Sequence, residues 1–177
     1  MPKSPQRSKD HVGRLVAKRR AETPHVPLDG MEIFGRARRL TILSRPPIEA
    51  IFARHGIDAG AFDVLASLRR SGAPFALRPT ELYRELMMSS GGLTARLDRL
   101  EKRGLIEREQ VEADRRSALA KLTPKGLALI DKAYAEDMAL EAAMLAPLSP
   151  SERRTLADLL AKLLVDMERS AGDCEDA

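Results

Sequence analysis

The sequence is short of cysteine and of long apolar runs, and each shortage excludes a class of protein. Cys174 is the only cysteine in 177 residues, so an intrachain disulfide cannot form, which fits a reducing cytoplasm. No apolar stretch approaches the length of a transmembrane helix. Residues 1–20 are basic but lack the apolar segment of a signal peptide. We therefore expect a cytoplasmic protein with no membrane partner.

Aromatic residues are also scarce, at 3%, and tryptophan is absent. This argues against binding of single-stranded nucleic acid, which is usually held by stacking on aromatic rings. The formal net charge is +4, and it is unevenly distributed. Residues 1–60 carry 12 Lys and Arg against 6 Asp and Glu, residues 61–123 carry 12 against 9, and residues 124–177 carry 6 against 11. A basic front and an acidic rear indicate a polyanionic partner for the first two-thirds, and duplex DNA fits best.

Nothing in the sequence has the pattern of a catalytic, metal or cofactor site. His11, His25 and His55 lack the spacing to a cysteine or carboxylate that metal ligation requires. There is no glycine-rich phosphate loop after a strand and no nucleophile elbow. Cys174 lies among acidic residues, whereas a redox-sensing thiol needs an electropositive setting. We expect neither an enzyme nor a metal-dependent or cofactor-dependent protein.

Helical periodicity covers most of the sequence, and the period changes at two short segments, residues 105–109 and 117–122. Residues 1–28 form a basic arm with a short helix over 9–22, and residues 29–56 form further helices that Pro46-Pro47 should break or kink, because proline removes a helix hydrogen bond. Residues 124–171 form two helices, the second opened by a capping box at Ser149 and apolar from Leu156 to Met167. Residues 172–177 are expected to be a disordered tail.

The central segment, residues 57–123, has the layout of a winged helix-turn-helix. A helix over 59–70 is followed by a helix start at Pro79 and a second helix that Ser89 or Ser90 should cap. Gly104 is suited to end that helix. Strands over 105–109 and 117–122 then flank a polar tip, residues 110–116. The expected fold is mainly α with a small β-hairpin, a winged helix-turn-helix domain joined to a helical region.

The second helix of such a unit enters the major groove with its N-terminal part. Small side chains on its outer face allow close approach, and Thr94 can contact a base edge. Arg96, Arg99 and Arg103 form a flanking basic stripe, and wing arginines can enter a narrow minor groove. Asp114 is suited to hold a neighbouring arginine in place. The candidate DNA-binding residues are Thr80, Ser89, Ser90, Gly91, Thr94, Ala95, Arg96, Arg99, Asp114, Arg115 and Arg116.

Two other interpretations of the same residues are open. The arginine-rich helix can be an ordinary solvated surface, and the charged tip a loop without a target. The winged-helix layout can also serve as a protein-interaction module, although the four arginines at 96, 99, 115 and 116 count against that.

From about Leu28 to Glu168 the sequence resembles the MarR family of bacterial transcription regulators. The resemblance implies a homodimer held by the helices of residues 29–56 and 124–171. It also implies a palindromic operator, a role in repression, and modulation by a small molecule bound between the dimerisation and DNA-binding parts. It rests on five motifs in order, which are Arg78–Leu82, Ser89–Glu101, Gly104–Arg108, Asp114–Arg116 and Leu122–Gly126.

A narrower resemblance is to the urate-responsive subgroup, which has an extra N-terminal helix. Its ligand site uses a Trp, an Asp and two Args, and Asp63, Arg70 and Arg108 match three of these positions. The Trp has no counterpart here. The resemblance implies a small anionic or aromatic effector at these residues. The alternative is a structural Asp–Arg bridge between helix and wing, in a regulator without a small-molecule ligand.

Overall fold

The computed structural model describes residues 9–86, 92–111 and 114–175; the side chains of residues 110–118 and from 172 onward lie outside this description. The chain forms two compact units, residues 1–133 and 134–177. The elements are α1 (His11–Glu22), α2 (Asp29–Arg54), α3 (Ala59–Arg70), β1 (Ala76–Leu77), α4 (Pro79–Glu85), α5 (Leu93–Lys102), β2 (Ile106–Val111), β3 (Asp114–Leu122), α6 (Pro124–Met144) and α7 (Pro150–Glu175).

The short N-terminal helix predicted for residues 9–22 is confirmed as α1, and it packs on α2. Asp10 caps it by accepting a hydrogen bond of 2.8 Å from the Gly13 N–H. That bond is the main reason why the pKa of Asp10 lies below its usual value, and Arg36 of α2 adds to the effect. Val12 and Val16 are buried together with Leu28, so the segment is tied down by apolar contacts as well as by charge.

Pro46-Pro47 do not break the helix, because α2 is helical throughout Asp29–Arg54. The predicted break is therefore wrong. Each proline removes one donor, which leaves the carbonyls of Ile42 and Leu43 without a helical partner. Both residues are exposed in the single chain, so solvent can satisfy these carbonyls there and the helix continues. At its C-terminal end α2 packs on α3 through Phe52 and Phe62, whose rings stack with centroids 4.0 Å apart.

The core of the first unit is built around α3, which is the predicted helix with the predicted bounds. Val64, Leu65 and Leu68 are fully buried. They share the interior with a leucine from each of the next two helices and with residues around β2. These are Leu82, Leu100, Leu105 and Ile106. The three-stranded antiparallel sheet has the order β1-β3-β2, and β1 is not predicted from the sequence.

The wing hairpin is longer than predicted. β2 continues to Val111 and β3 begins at Asp114, and Val111 is the partner of Asp114 in the register. Asp114, Arg115 and Arg116 therefore belong to a strand and not to the predicted tip. The register shifts between Gln110 and Val111, so pairing near the tip is irregular, and the periodicity of apolar residues does not reveal where these strands end.

The helix-turn-helix also differs from the prediction at its turn. The first helix ends at Glu85, and Leu86 is extended. The second begins at Leu93 with Gly92 as its N-cap; the expected caps, Ser89 and Ser90, lie outside the described residues. Gly92 has a φ of +77°, a left-handed conformation that glycine adopts without a steric penalty. The expected end at Gly104 is confirmed, since this residue follows the helix with a φ of +65°.

The long C-terminal helix α7 begins at the predicted capping box. The Ser149 N–H donates to Glu152 Oε2 over 2.8 Å, and the Glu152 N–H donates to Ser149 Oγ over 3.3 Å. The helix continues to Glu175, so the disordered tail expected from residue 172 is helical as far as that residue. Its apolar face is exposed in the single chain, at Leu156, Leu159, Leu160, Leu163, Leu164, Val165 and Met167.

Candidate nucleic-acid interface

An open groove of about 710 Å³ lies between α4 and the start of α5. Thr80 and Thr94 face it from the two helices, and Ala95 lies beside Thr94. All three are exposed. This brings together three of the predicted DNA-binding residues on one accessible surface, with a hydroxyl on each side of the groove. Ser89, Ser90 and Gly91 lie outside the described residues.

Two further residues of the groove were not among the predicted DNA-binding residues. Tyr83 and Arg84 line the same surface, and the Tyr83 side chain is 60% exposed. They follow Thr80 by three and four positions, so helical spacing places them on its face of α4. That spacing could have identified them. An exposed tyrosine hydroxyl and a guanidinium beside a groove are both suited to phosphate oxygens.

The three arginines expected to form a basic stripe on α5 do not share one role. Arg99 is exposed, as predicted. Arg96 instead packs over Gly60 of α3, and its Nε is buried. Arg103 donates from Nη1 to the Gly56 carbonyl over 2.6 Å. Arg96 and Arg103 therefore face the corner between α2 and α3, which corrects their placement on an outward stripe.

The first strand of the wing is held to α5 by charge. Arg108 of β2 forms an ion pair with Asp98 through Nη2 and lies 3.4 Å from Glu101 through Nε. This arginine was predicted to bind a ligand. The backbone of Asp114, Arg115 and Arg116 is described as strand β3, but their side chains are outside the described set.

The other two candidate ligand residues lie on α3. Asp63 is buried, at 6% exposure. Arg70 donates from Nη2 to Ser67 Oγ and to the carbonyl oxygen of Glu85, each over 3.0 Å. Arg70 thus caps the end of α4 just before the helix-turn-helix turn. The two candidate arginines, Arg70 and Arg108, have different partners in the structure.

Within the described ranges, no group of three or more His, Cys, Asp or Glu side chains could hold a metal ion. None of the helices in the same ranges is long and apolar enough to cross a membrane.

Comparison with known proteins decides the family. Residues 55–117 match the model of the MarR family. The HTH-type transcriptional regulator PecS of Dickeya dadantii is 36% identical over 152 residues, which cover 86% of this chain and 92% of PecS. The chain belongs to the MarR family of transcriptional regulators. Its relatives are regulators and not enzymes, which agrees with the sequence analysis.

Two solved structures of this family are informative about partners. A point mutant of MarR from Escherichia coli, in complex with operator DNA, is 29% identical with a TM-score of 0.61, covering 78% of this chain and 99% of that one. BpsR of Bordetella bronchiseptica, whose DNA binding is regulated by 6-hydroxynicotinic acid, is 26% identical with a TM-score of 0.58. That alignment covers 72% of this chain and 98% of BpsR. The winged helix-turn-helix fold of the MarR family is thereby confirmed.

Proposed function

We propose that this MarR-family regulator is a repressor that binds a palindromic operator as a homodimer. Residues 57–123 are the DNA-binding domain, and the helices of 29–56 and 124–171 are dimerisation segments. The observation that carries the proposal is the exposed groove where Thr80 of α4 faces Thr94 and Ala95 of α5. The operator complex of the related E. coli protein supports it.

In this proposal α5 is the recognition helix, and its start lies against the base edges. The small Ala95 allows close approach, and Thr94 contacts a base or a thymine methyl group. Phosphates are bound by Thr80, Arg84 and Arg99, and by the free N–H groups at the start of α5. Ser89, Ser90 and Gly91, predicted from the sequence, are further proposed contacts. Arg115 and Arg116 reach the minor groove from the wing, with Asp114 orienting one of them.

A selection from a randomised duplex library tests this proposal, followed by affinity measurements on the selected duplex. Thr94→Val keeps the shape of the side chain and removes its hydroxyl, so discrimination at one base pair should fall by about 0.5–1.5 kcal/mol, the net contribution of one hydrogen bond. Thr23→Val at the end of α1 is the matched control, because its hydroxyl donates to the Arg19 carbonyl of its own helix. Failure to select any sequence would contradict the proposal, and so would equal losses in the two variants.

The exposed apolar faces of two helices support the homodimer. α2 exposes Ile33, Phe34, Leu40 and Leu43, each at 50% or more, and α7 exposes its run of leucines. Apolar surface of this extent usually marks an interface, and closed symmetric dimers are the commonest solution. Sedimentation equilibrium should show a dimer at micromolar concentration, and Leu159→Glu on α7 should shift the chain toward monomer. A stable wild-type monomer would contradict the proposal.

We also propose that a small anionic or aromatic ligand near Asp63, Arg70 and Arg108 lowers DNA affinity. The contacts of the two arginines suggest a route. An anion that takes Arg70 from the Glu85 carbonyl frees the end of α4, and one that takes Arg108 from Asp98 loosens the wing. Either change favours a conformation with weaker DNA binding, and by linkage DNA must weaken the ligand equally. BpsR, regulated by 6-hydroxynicotinic acid, supports an effector of this chemical class.

Calorimetry with urate, xanthine and small aromatic carboxylates tests this ligand site. Urate should bind weakly or not at all, because the aromatic wall of the urate-type site is missing. Arg70→Ala and Arg108→Ala should each weaken binding of any compound that releases DNA. Lys132→Ala, a change to an exposed cation on α6, should leave it unchanged. If all three variants bind such a compound like the wild type, the site lies elsewhere.

A further inference from the structure

The side chain of Arg96 fills a space that exists because residue 60 is glycine. Gly60 is buried near the start of α3. A Cβ at this position would lie 2.4 Å from Cζ of Arg96 and 2.5 Å from its Nε and Nη2. These distances are far inside van der Waals contact, so the guanidinium lies directly against the backbone of α3. Any larger residue at position 60 must displace it.

Arg103 makes a second contact with the same corner of the fold. Its Nη1 donates to the Gly56 carbonyl over 2.6 Å, in the turn that joins α2 to α3. Gly56 has a φ of +69°, and a Cβ there would lie 3.2 Å from Nη2 of Arg103. The Arg103 carbonyl accepts a hydrogen bond of 2.8 Å from Lys125 Nζ. The end of α5 is therefore bonded both to the α2–α3 corner and to the start of α6.

Arg96 and Arg103 are seven residues apart, which is two helical turns, so both extend from one face of α5. A phosphate ligand needs a guanidinium that can reach the duplex. The Nε of Arg96 is buried, without a hydrogen-bond partner among the described residues, and Nη1 of Arg103 is engaged by a backbone carbonyl. Arg99 and Arg103 are both exposed, but Arg103 is held by its bond to the Gly56 carbonyl.

We propose that Arg96 and Arg103 are positioning residues that clamp the recognition helix α5 to the α2–α3 corner and set its angle to the DNA. Arg99 is the phosphate-binding arginine of the three. The clamp rests on the proposed function, because it matters only if α5 contacts DNA. It also links that helix to the end of α2, the same helix whose exposed apolar residues we assign to the dimer interface.

A double-mutant cycle on Gly60 and Arg96 tests the clamp. Gly60→Ala removes no charge and adds one methyl group. In the wild-type background the methyl group must push the Arg96 guanidinium aside, so the affinity for the selected duplex should fall several-fold. In an Arg96→Ala background the added methyl has room, so the same change should leave that affinity unchanged. Gly30→Ala is the matched control, since a Cβ there meets nothing within 4 Å. Additive effects of the Gly60 and Arg96 changes would overturn the clamp.

Salt dependence gives an independent test that needs no change at Gly60. Loss of a phosphate contact reduces the slope of log affinity against log salt by about 1. Arg99→Ala should show that reduction. Arg96→Ala and Arg103→Ala should instead lower the preference for the selected duplex over a random one, with the slope nearly unchanged. A slope reduction by about 1 for Arg96→Ala would assign it to phosphate and overturn the clamp. Salt-independent binding by the wild type would instead refute the proposed function, and the clamp with it.

Discussion

Arg108 on the first strand of the wing is ion-paired with Asp98 on the recognition helix. Glu101, one turn further along α5, lies 3.4 Å from Nε of the same arginine. One side chain thus fixes the relative position of two elements that are proposed to contact different grooves. The pair is partly exposed, at 33% for Arg108 and 47% for Asp98, so solvent screens much of its electrostatic energy.

We predict that Arg108→Gln affects DNA binding more than it affects stability. Its unfolding free energy should fall by about 0.2–1 kcal/mol, the range for exposed pairs, as measured by urea denaturation. Operator affinity should fall more, because the wing and α5 lose their shared anchor. Arg45→Gln is the control, since it breaks an exposed pair with Glu49 within α2. Equal operator affinity in both variants would contradict the anchor.

A glycine in the motif Leu122–Gly126 fixes the start of α6. A Cβ at Gly126 would lie 1.9 Å from the Leu105 carbonyl oxygen, a backbone atom that cannot move aside easily. Gly126→Ala should therefore destabilise the fold by about 1–3 kcal/mol or more. Gly30→Ala, in the open first turn of α2, should be neutral or stabilising by up to about 1 kcal/mol. Thermal unfolding of both variants distinguishes them, and a neutral Gly126→Ala would show that this close approach is not rigid.

Asp137 on α6 makes stability depend on pH. The residue is 4% exposed, and its Oδ1 has no hydrogen-bond partner within the described part of the chain. Burial raises the pKa of Asp137 above 3.8, and Glu141 raises it further. The folded state thus holds this proton more tightly than the unfolded state. Its contribution to stability is lost as the pH rises from 3.8 through the folded pKa.

Asp137→Asn removes this ionisation without changing the size of the side chain. We expect the variant to be more stable than the wild type at pH 7, with a difference that shrinks as the pH falls below the wild-type carboxyl's folded pKa. Urea denaturation across this pH range measures the difference. A constant difference at every pH would show that the ionisation of Asp137 does not affect folding.

Much of this fold could be predicted because its signals are local. Helix α3, the capping box at Ser149 and the left-handed Gly104 each depend on residues within one or two turns. The break predicted at Pro46 and Pro47 does not occur. The free-energy cost of the lost hydrogen bonds depends on whether solvent reaches the carbonyls of Ile42 and Leu43, and solvent access is a property of the tertiary structure. β1 could not be predicted for a similar reason, because a two-residue strand depends on its pairing with Lys121 and Ala120, which are distant in sequence.

The residues of the candidate site could be predicted from the sequence, but the direction in which their side chains point could not. Thr80, Thr94 and Ala95 were expected and do line one groove. Arg96 and Arg103 were assigned to DNA because arginine on an amphipathic helix usually points to solvent. Their actual partners are two glycines at positions 56 and 60, separated from them by about 40 positions in sequence, and helical periodicity carries no information about such contacts.

The wing arginines should add affinity through the minor groove. We predict that Arg115→Ala and Arg116→Ala each weaken operator binding while leaving the melting temperature and the oligomeric state unchanged. The loss should be larger on A·T-rich flanks, where the minor groove is narrow and electronegative. Wild-type affinity in both variants would show that the wing does not contact DNA.

The most direct test of the central claim is the stoichiometry and footprint of the wild-type protein on the duplex that it selects. We predict two chains per duplex, protection of two symmetric half-sites about 10 bp apart from centre to centre, and affinity that falls steeply with salt. A single chain protecting one half-site, or an affinity indifferent to both sequence and salt, would contradict the account.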